Sequence, residues 1–408
     1  MATATSMMMS GTASSAMPTQ HAALEDAVQL LAGNAARFAR TSAADKAALV
    51  RECMPRIADA AAAWVAAGCR AKGLSGADAG EEWLVGPLPT LRMARLLADS
   101  LSQIAVRGRP ALGTGSRVRH DGRLEVDVFP GGNFDRILFA GVTGKVLLQE
   151  GVDRAAAVRR QAGFYQERDP EGGISVILGA GNVSSIPPMD VLSKMFVEGF
   201  VCVLKMNPVN EWVGPYLERS LAPLIDRDFL RVVYGGAAEG QFLVEHAAVD
   251  DVHITGSDRT HDLLVWGPPG PERERRLADN TPRLEKPISS ELGNVSPVAV
   301  VPYTYSDEEL WFQARNVASM VVNNASFNCN AAKMLITSKQ WAQRETFLRL
   351  IGRALSQAPT RKAYYPGASE RYNTLTGDRG RLERYGEATA DKLPWTLIRD
   401  VDATRRDE

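Results

Sequence analysis

Covalent catalysis needs a nucleophile, a proton acceptor and groups that meet developing charge, and a few residues of this chain are candidates. Cys329 lies in Asn323-Asn-Ala-Ser-Phe-Asn-Cys-Asn-Ala-Ala332, a run of small and amide residues. A lone cysteine is more often an inert buried residue than a nucleophile. The polar loop that follows a helical stretch shifts that balance toward a reactive thiol. Cys202, between Val201 and Val203, is the contrasting case and reads as structural, as do Cys53 and Cys69 in alanine-rich helices. Glu291, in Ser289-Ser-Glu-Leu-Gly-Asn-Val-Ser-Pro297, reads by itself as a surface-loop carboxylate. Asn182, in Gly179-Ala-Gly-Asn-Val-Ser-Ser-Ile-Pro-Pro188, follows a buried strand, where open α/β sheets gather ligand sites. Its other reading is a turn residue. Lys205 closes the next strand and could reach a ribose hydroxyl, and Gly256-Ser257 could open a helix onto a pyrophosphate. Singly, each signal is weak.

These residues need a scaffold. Ile174–Leu178 and Val201–Leu204 are short apolar runs, typical of strands buried on both faces. Pro187 to about Gly199 reads as a helix between them, Pro215–Ile225 as a second, and Gly240–His246 as a third. Val232–Tyr234 and Val252–Thr255 complete an alternation of strand and helix, which predicts parallel strands joined by crossover helices. The fold class is therefore α/β, a dinucleotide-binding parallel sheet followed by a second, incomplete α/β domain. His21 to about Gly73 and Leu88–Ile104 read as helices, with Ser42 and Asp45 as a partial capping box. Leu124–Val128 alternates as a strand should, within a stretch of mixed strand and loop. Residues 267–284 read as a solvated insertion. Beyond it, Val298–Val301 and Lys333–Thr337 read as extended, and Asp307–Val322 as helical. After Ser356 the pattern weakens to a helix near Ala368–Tyr372 and an apolar stretch, Leu393–Ile398.

Composition narrows the function. Lysine and arginine number 47 against 48 aspartates and glutamates, so charge gives no general pull toward nucleic acid or anionic membrane. No apolar run is long enough to span a bilayer. Four scattered cysteines without a CxxC pair suit neither a disulfide framework nor zinc. Residues 1–20 lack the pattern of a secretory signal and read as a disordered lead-in. A cytoplasmic protein is the expectation, with residues 21–288 as the nucleotide domain and 289–408 as the second domain.

Taken together, the motifs carry more than they do apart. Asn182, Lys205, Gly236-Ala-Ala-Glu-Gly240, Thr255-Gly256-Ser257, Glu291-Leu292-Gly and Cys329 resemble, in order and spacing, the aldehyde dehydrogenase superfamily from about Gly172 to Ile336. Asn324, five residues before Cys329, is similar to the family's Asn-x-x-x-x-Cys loop. The resemblance implies that Cys329 attacks an aldehyde, that Asn182 stabilises the oxyanion, and that Glu291 activates the deacylating water. It also implies NAD or NADP as cofactor, bound by Lys205, Gly236, Gly240, Gly256, Ser257 and Leu292. A homo-oligomer is implied for the full-length form.

Departures point to a divergent branch. His261 stands where the family usually has a second glycine, and Leu292-Gly-Asn-Val295 replaces Leu-Gly-Gly-Lys. Gly179-Ala-Gly181 replaces an aromatic lead, and Pro208 replaces an acidic residue tied to NAD preference. No Glu-x-Phe-Gly-Pro segment follows Cys329, so the chain is expected to be C-terminally truncated. Three readings follow: an NAD(P)-dependent aldehyde dehydrogenase, an acyl-CoA reductase of the same superfamily suggested by the Gly-Asn-Val run, and a nucleotide-binding remnant without catalysis.

Overall fold

Alanine dominates the first hundred residues, and helices result. The computed structural model describes residues 16–377 and 381–402. The expected lead-in therefore lies mostly outside the described residues. Within its described part, Thr19 donates its N–H to the Tyr234 carbonyl and its Oγ1 accepts from the Tyr234 N–H. Helices α1 (His21–Ala32), α2 (Ala35–Ala39), α3 (Ala43–Lys72), α4 (Ala79–Val85) and α5 (Pro87–Arg107) follow. Ser42 caps α3 as expected, accepting the Asp45 N–H at 3.1 Å. The buried face of α3 carries Val50, Cys53, Ile57 and Trp64 at helical spacing.

One residue on that face is a surprise. Lys46 is fully buried, its ammonium over the rings of Phe38 and Phe164 at 4.6 and 4.4 Å. Burial pushes it down to about 7. Between about pH 7 and about pH 9 the unfolded chain keeps this proton while the folded chain releases it, so stability rises with pH. The expected gain across that window is on the order of 2 kcal/mol. Urea unfolding of the wild type and Lys46→Met at several pH values checks it. Parallel pH profiles would defeat the prediction.

A separate antiparallel sheet comes next, in the order β1 (Gly115–Val118), β2 (Leu124–Phe129) and β3 (Gly144–Leu147). Helices α6 (Asn133–Leu138) and α7 (Arg154–Arg160) flank β3 in sequence. Leu124, Val126 and Ala157 form its own small core.

The main sheet then assembles from β4 (Ile174–Leu178), α8 (Ile186–Phe196), β5 (Val201–Lys205), α9 (Gly214–Ser220), α10 (Ala222–Ile225), β6 (Leu230–Val233), α11 (Ala237–Glu245), β7 (Asp251–Gly256), α12 (Asp258–Trp266), α13 (Pro271–Asp279) and β8 (Ile288–Leu292). Its order is β6-β5-β4-β7-β8, all parallel. The chain thus starts in the middle and reverses direction between β4 and β7, where α/β sheets open a ligand crevice. The helix expected over Pro215–Ile225 is two helices. Pro223 lacks the N–H that a continuous helix needs and instead begins α10. The insertion after Gly267 contains the exposed helix α13.

The remaining elements are β9 (Pro297–Ala299), α14 (Asp307–Val322), β10 (Met334–Ile336), α15 (Arg344–Gln357), α16 (Ala368–Thr376), β11 (Leu382–Tyr385) and β12 (Trp395–Ile398). Strands β9 and β10 pair in parallel with α14 as their crossover, and β11 and β12 form a hairpin. A second core gathers Leu310, Ala314, Trp341, Phe347, Ile351 and Trp395. Strand β8 belongs to the first sheet, and the second core begins at Val298. Among the described residues, no helix is long and apolar enough to cross a membrane.

Candidate active site

Parallel strands deliver all their carboxyl ends to one edge of a sheet, and the residues singled out for the cofactor sit along that edge. Lys205 is the last residue of β5, Gly256 of β7 and Leu292 of β8. Gly256 pairs with Leu292, and Leu178 lies between Lys205 and Ile254. Gly236 precedes α11, and its N–H donates to the Glu239 carboxylate at 2.7 Å. Gly240 lies buried in α11. Ser257 caps α12, accepting the Thr260 N–H, so the expected helix N-terminus is there.

Lys205 is only 8% exposed, and its ammonium has no hydrogen-bond or ion-pair partner among the described residues. Burial lowers it to about 8, while Glu239 and Glu211 pull the other way.

Asn182 follows β4 in a turn where backbones approach closely. A Cβ on Gly181 would stand 2.8 Å from Asn207 Oδ1 and 3.0 Å from the Tyr365 hydroxyl. This accounts for the glycine at position 181. The Asn182 side chain donates Nδ2–H to the Phe327 carbonyl at 2.9 Å. Phe327 is two residues from Cys329, so residues far apart in sequence meet. One Nδ2 hydrogen is engaged there, and an amide nitrogen carries two.

Cys329 is exposed in a turn after α14. Its loop is closed by Ala331 N–H to the Asn328 carbonyl, and Lys333 Nζ donates to the Ser326 carbonyl. The other cysteines are poor nucleophiles. Burial raises the Cys202 thiol well above its usual range and that of Cys53 to about 12.

Glu291 is not in a loop. It occupies the edge strand β8, opposite Thr255. A polar Ser289-Ser290-Glu291 run does not look like a strand, but an edge strand need not be apolar on either face. Its carboxylate has no hydrogen bond or ion pair among the described residues, to Asn182, Cys329 or any other group. Only the chain beyond it returns to the cysteine segment, where Lys333 N–H donates to the Val295 carbonyl at 3.1 Å.

Sequence reasoning missed a polar cluster behind the two loops. Lys72 and Glu82 form a buried ion pair at 2.8 Å. Lys72 also bonds the Asn182 carbonyl and Asn324 Oδ1, and the Tyr364 hydroxyl lies 3.0 Å from the same two oxygens, sharing its single hydrogen between them. Glu81 accepts the Asn324 N–H and pairs with Arg361. A lysine ending a helix ordinarily reads as a solvated partner of the helix dipole. No local pattern marks this one as buried.

The architecture is thus a dinucleotide-type parallel sheet beside a smaller α/β unit, with a cysteine loop docked at the sheet's carboxyl edge. No protein-family model matches the sequence, and no curated protein matches it. Solved structures do match. A protein assigned as an aldehyde dehydrogenase from Burkholderia cenocepacia superposes with a TM-score of 0.62 at 17% identity, over 94% of this chain and 70% of that one. An NADP-dependent glyceraldehyde-3-phosphate dehydrogenase from Bacillus halodurans, solved with NADP, gives 0.61 at 15% over the same shares. A mutant of aldehyde dehydrogenase C from Pseudomonas syringae, solved with NAD+ and octanal, gives 0.52 at 14%, over 82% of this chain and 54% of that one. The chain therefore has the aldehyde dehydrogenase fold and spans between about half and 70% of those chains.

Proposed function

We propose that this chain oxidises an aldehyde to a carboxylic acid with NAD(P)+, with Cys329 as nucleophile. The observation that carries the reading is the bond from the Asn182 amide to the Phe327 carbonyl, which joins the β4 turn to the cysteine loop. The likeness to aldehyde dehydrogenases solved with NAD+ or NADP supports it at the level of fold.

The residues at the sheet's carboxyl edge fit the cofactor. Lys205 offers an ammonium without a partner, and the start of α12 offers the Asp258 N–H to a pyrophosphate, since the Arg259 and Thr260 N–H groups already donate to Asp258 Oδ1 and Ser257 Oγ. Lys205 would hold a ribose hydroxyl, and Gly256 with Ser257 the phosphates, beside Gly236, Gly240 and Leu292. Bound there, NAD(P)+ would supply the hydride acceptor.

The chain's own residues would do the rest. The Cys329 thiolate adds to the carbonyl carbon, and the carbonyl electron pair moves to oxygen. The second Asn182 N–H and the Cys329 backbone N–H stabilise that oxyanion. Loss of hydride from the same carbon leaves a thioester on Cys329. Glu291 takes a proton from water, the water oxygen bonds the acyl carbon, and the C–S bond breaks to release acid and thiolate. A second reading, an acyl-CoA reductase in which CoA replaces water as the acyl acceptor, draws on the Gly181-Asn182-Val183 run after β4, whereas Glu291 favours the hydrolytic reading.

Purified protein with aldehydes of graded length and NAD+ or NADP+ should form reduced nicotinamide and free acid in equal amounts. In Lys205→Met the KM for the nucleotide should rise about tenfold, the effect of one lost hydrogen bond, with kcat little changed. CoA-dependent turnover without free acid would favour the reductase. No turnover with any aldehyde or acyl-CoA would overturn both.

A further inference from the structure

Three consecutive residues before Cys329 hold a backbone conformation that side chains disfavour. Asn324, Ala325 and Ser326 have φ of 51°, 53° and 66°. Asparagine tolerates the left-handed region, whereas alanine and serine do so at a cost. Such a segment persists only where its surroundings over-determine it. The question is what holds it.

Asn324 is the answer on the loop's side. Its Oδ1 accepts from Lys72 Nζ at 3.0 Å and, at the same distance, shares the single Tyr364 hydroxyl hydrogen with the Asn182 carbonyl. Its Nδ2 donates to the Asn182 carbonyl and to Asn328 Oδ1, each at 3.0 Å. Its backbone N–H donates to Glu81. Both donors and both lone pairs of the side chain are therefore in use.

Lys72 is the answer on the scaffold's side. It ends the thirty-residue α3, stopped by Gly73 at φ 68°. Its ammonium has three hydrogens and three partners: Glu82 Oε1 at 2.8 Å, Asn324 Oδ1 at 3.0 Å and the Asn182 carbonyl at 3.3 Å. Lys72 is 4% exposed and Glu82 wholly buried. The second Glu82 oxygen has no partner, so Lys72 alone balances that carboxylate among the described residues. One buried charge thus bonds the turn that carries Asn182 and the segment that carries Cys329.

We propose that Lys72 is a positioning residue that holds the Asn182 turn and the strained Cys329 segment in register, with Tyr364 as its neutral second brace. This rests on the aldehyde-oxidation reading above. Lys72 touches no reacting atom. It acts through Asn324 and the Asn182 backbone, and its removal releases the left-handed segment while leaving the nucleotide edge at Lys205, Gly256 and Ser257 intact.

The test uses the whole chain. Lys72→Met alone strands a buried carboxylate and can unfold the protein, so the paired variant Lys72→Met/Glu82→Gln accompanies it, with Tyr364→Phe as the milder case. In the paired variant kcat should fall by about 10- to 100-fold, as when a group that orients a reactive ligand is lost. The KM for the nucleotide should change less than about twofold. Tyr364→Phe should lose less, because Lys72 still bonds both oxygens. Independently of turnover, the pH profile of Cys329 alkylation by iodoacetamide should shift, and amide exchange over 323–329 should quicken at least about tenfold. A folded paired variant with wild-type kcat, alkylation profile and exchange overturns the proposal. If the wild type itself turns over no aldehyde, the oxidation reading fails, and alkylation and exchange still decide the positioning role.

Discussion

Cys329→Ala is expected to abolish aldehyde-dependent formation of NAD(P)H, by more than about 10³-fold in kcat, as removal of a covalent nucleophile does. It should leave unfolding by heat or urea unchanged, because Cys329 is exposed and adds nothing to either core. Cys202→Ala gives the opposite pair of outcomes. That side chain is fully buried in β5, so its loss should lower stability by about 1 kcal/mol or more while chemistry persists. Mass spectrometry after brief alkylation gives a third reading. Cys329 should be modified first, since burial keeps Cys53 and Cys202 protonated and out of reach. Turnover that survives Cys329→Ala would end the covalent account.

The elements legible in the sequence are those whose burial is written in a local run. Strands β4 and β5 are apolar on both faces because helices cover both sides of the sheet, and their limits agree with expectation to within a residue. Helix α14 runs from Asp307 to Val322 as read, behind a complete Ser306–Glu309 capping box. Strand β8 was hidden because an edge strand can be polar throughout. Helix α15 went unread although Phe347, Leu348, Ile351 and Leu355 share one face, which is the signal that would have found it. That Lys205, Gly256 and Leu292 share one edge of the sheet could be anticipated, because strand ends and glycine turns follow one another along the chain. The Lys72–Glu82–Asn324–Tyr364 cluster could not, since its members come from three distant stretches and Lys72 and Glu82 look solvated alone.

Glu291 marks a boundary of a different kind. Its motif is recognisable, yet among the described residues no hydrogen bond or ion pair ties this edge-strand carboxylate to the cysteine loop. A group must lie within hydrogen-bond reach of the water it deprotonates, directly or through one water. The segment from Leu292 to Ser296 connects that strand to β9, beside Lys333. Glu291→Gln therefore separates two steps. If Glu291 serves deacylation, the first turnover survives and the acyl-enzyme accumulates.

Trp64→Ala should be the most destabilising single substitution near the site, at about 3–5 kcal/mol. The indole is fully buried on α3, and its Nε1–H donates to Ser184 Oγ at 2.9 Å. Ser184 belongs to the Asn182 turn and is itself fully buried, so the substitution opens a large cavity and strands a hydroxyl. Space around the pair is tight: a Cβ on Gly86 would lie 3.0 Å from Ser184 Oγ and 3.2 Å from the indole nitrogen. Trp64→Phe keeps most of the apolar volume and loses the hydrogen bond, so it should cost less, about 1–3 kcal/mol. Adding Ser184→Ala to Trp64→Phe should recover part of that loss, because the stranded hydroxyl is then gone, and a double-mutant cycle in urea measures the coupling. A Trp64→Ala protein within about 1 kcal/mol of wild type would mean that α3 does not carry the Asn182 turn. The same cycle run on kcat links packing to chemistry, because the turn that Trp64 supports from α3 is the one Lys72 holds at the end of the same helix.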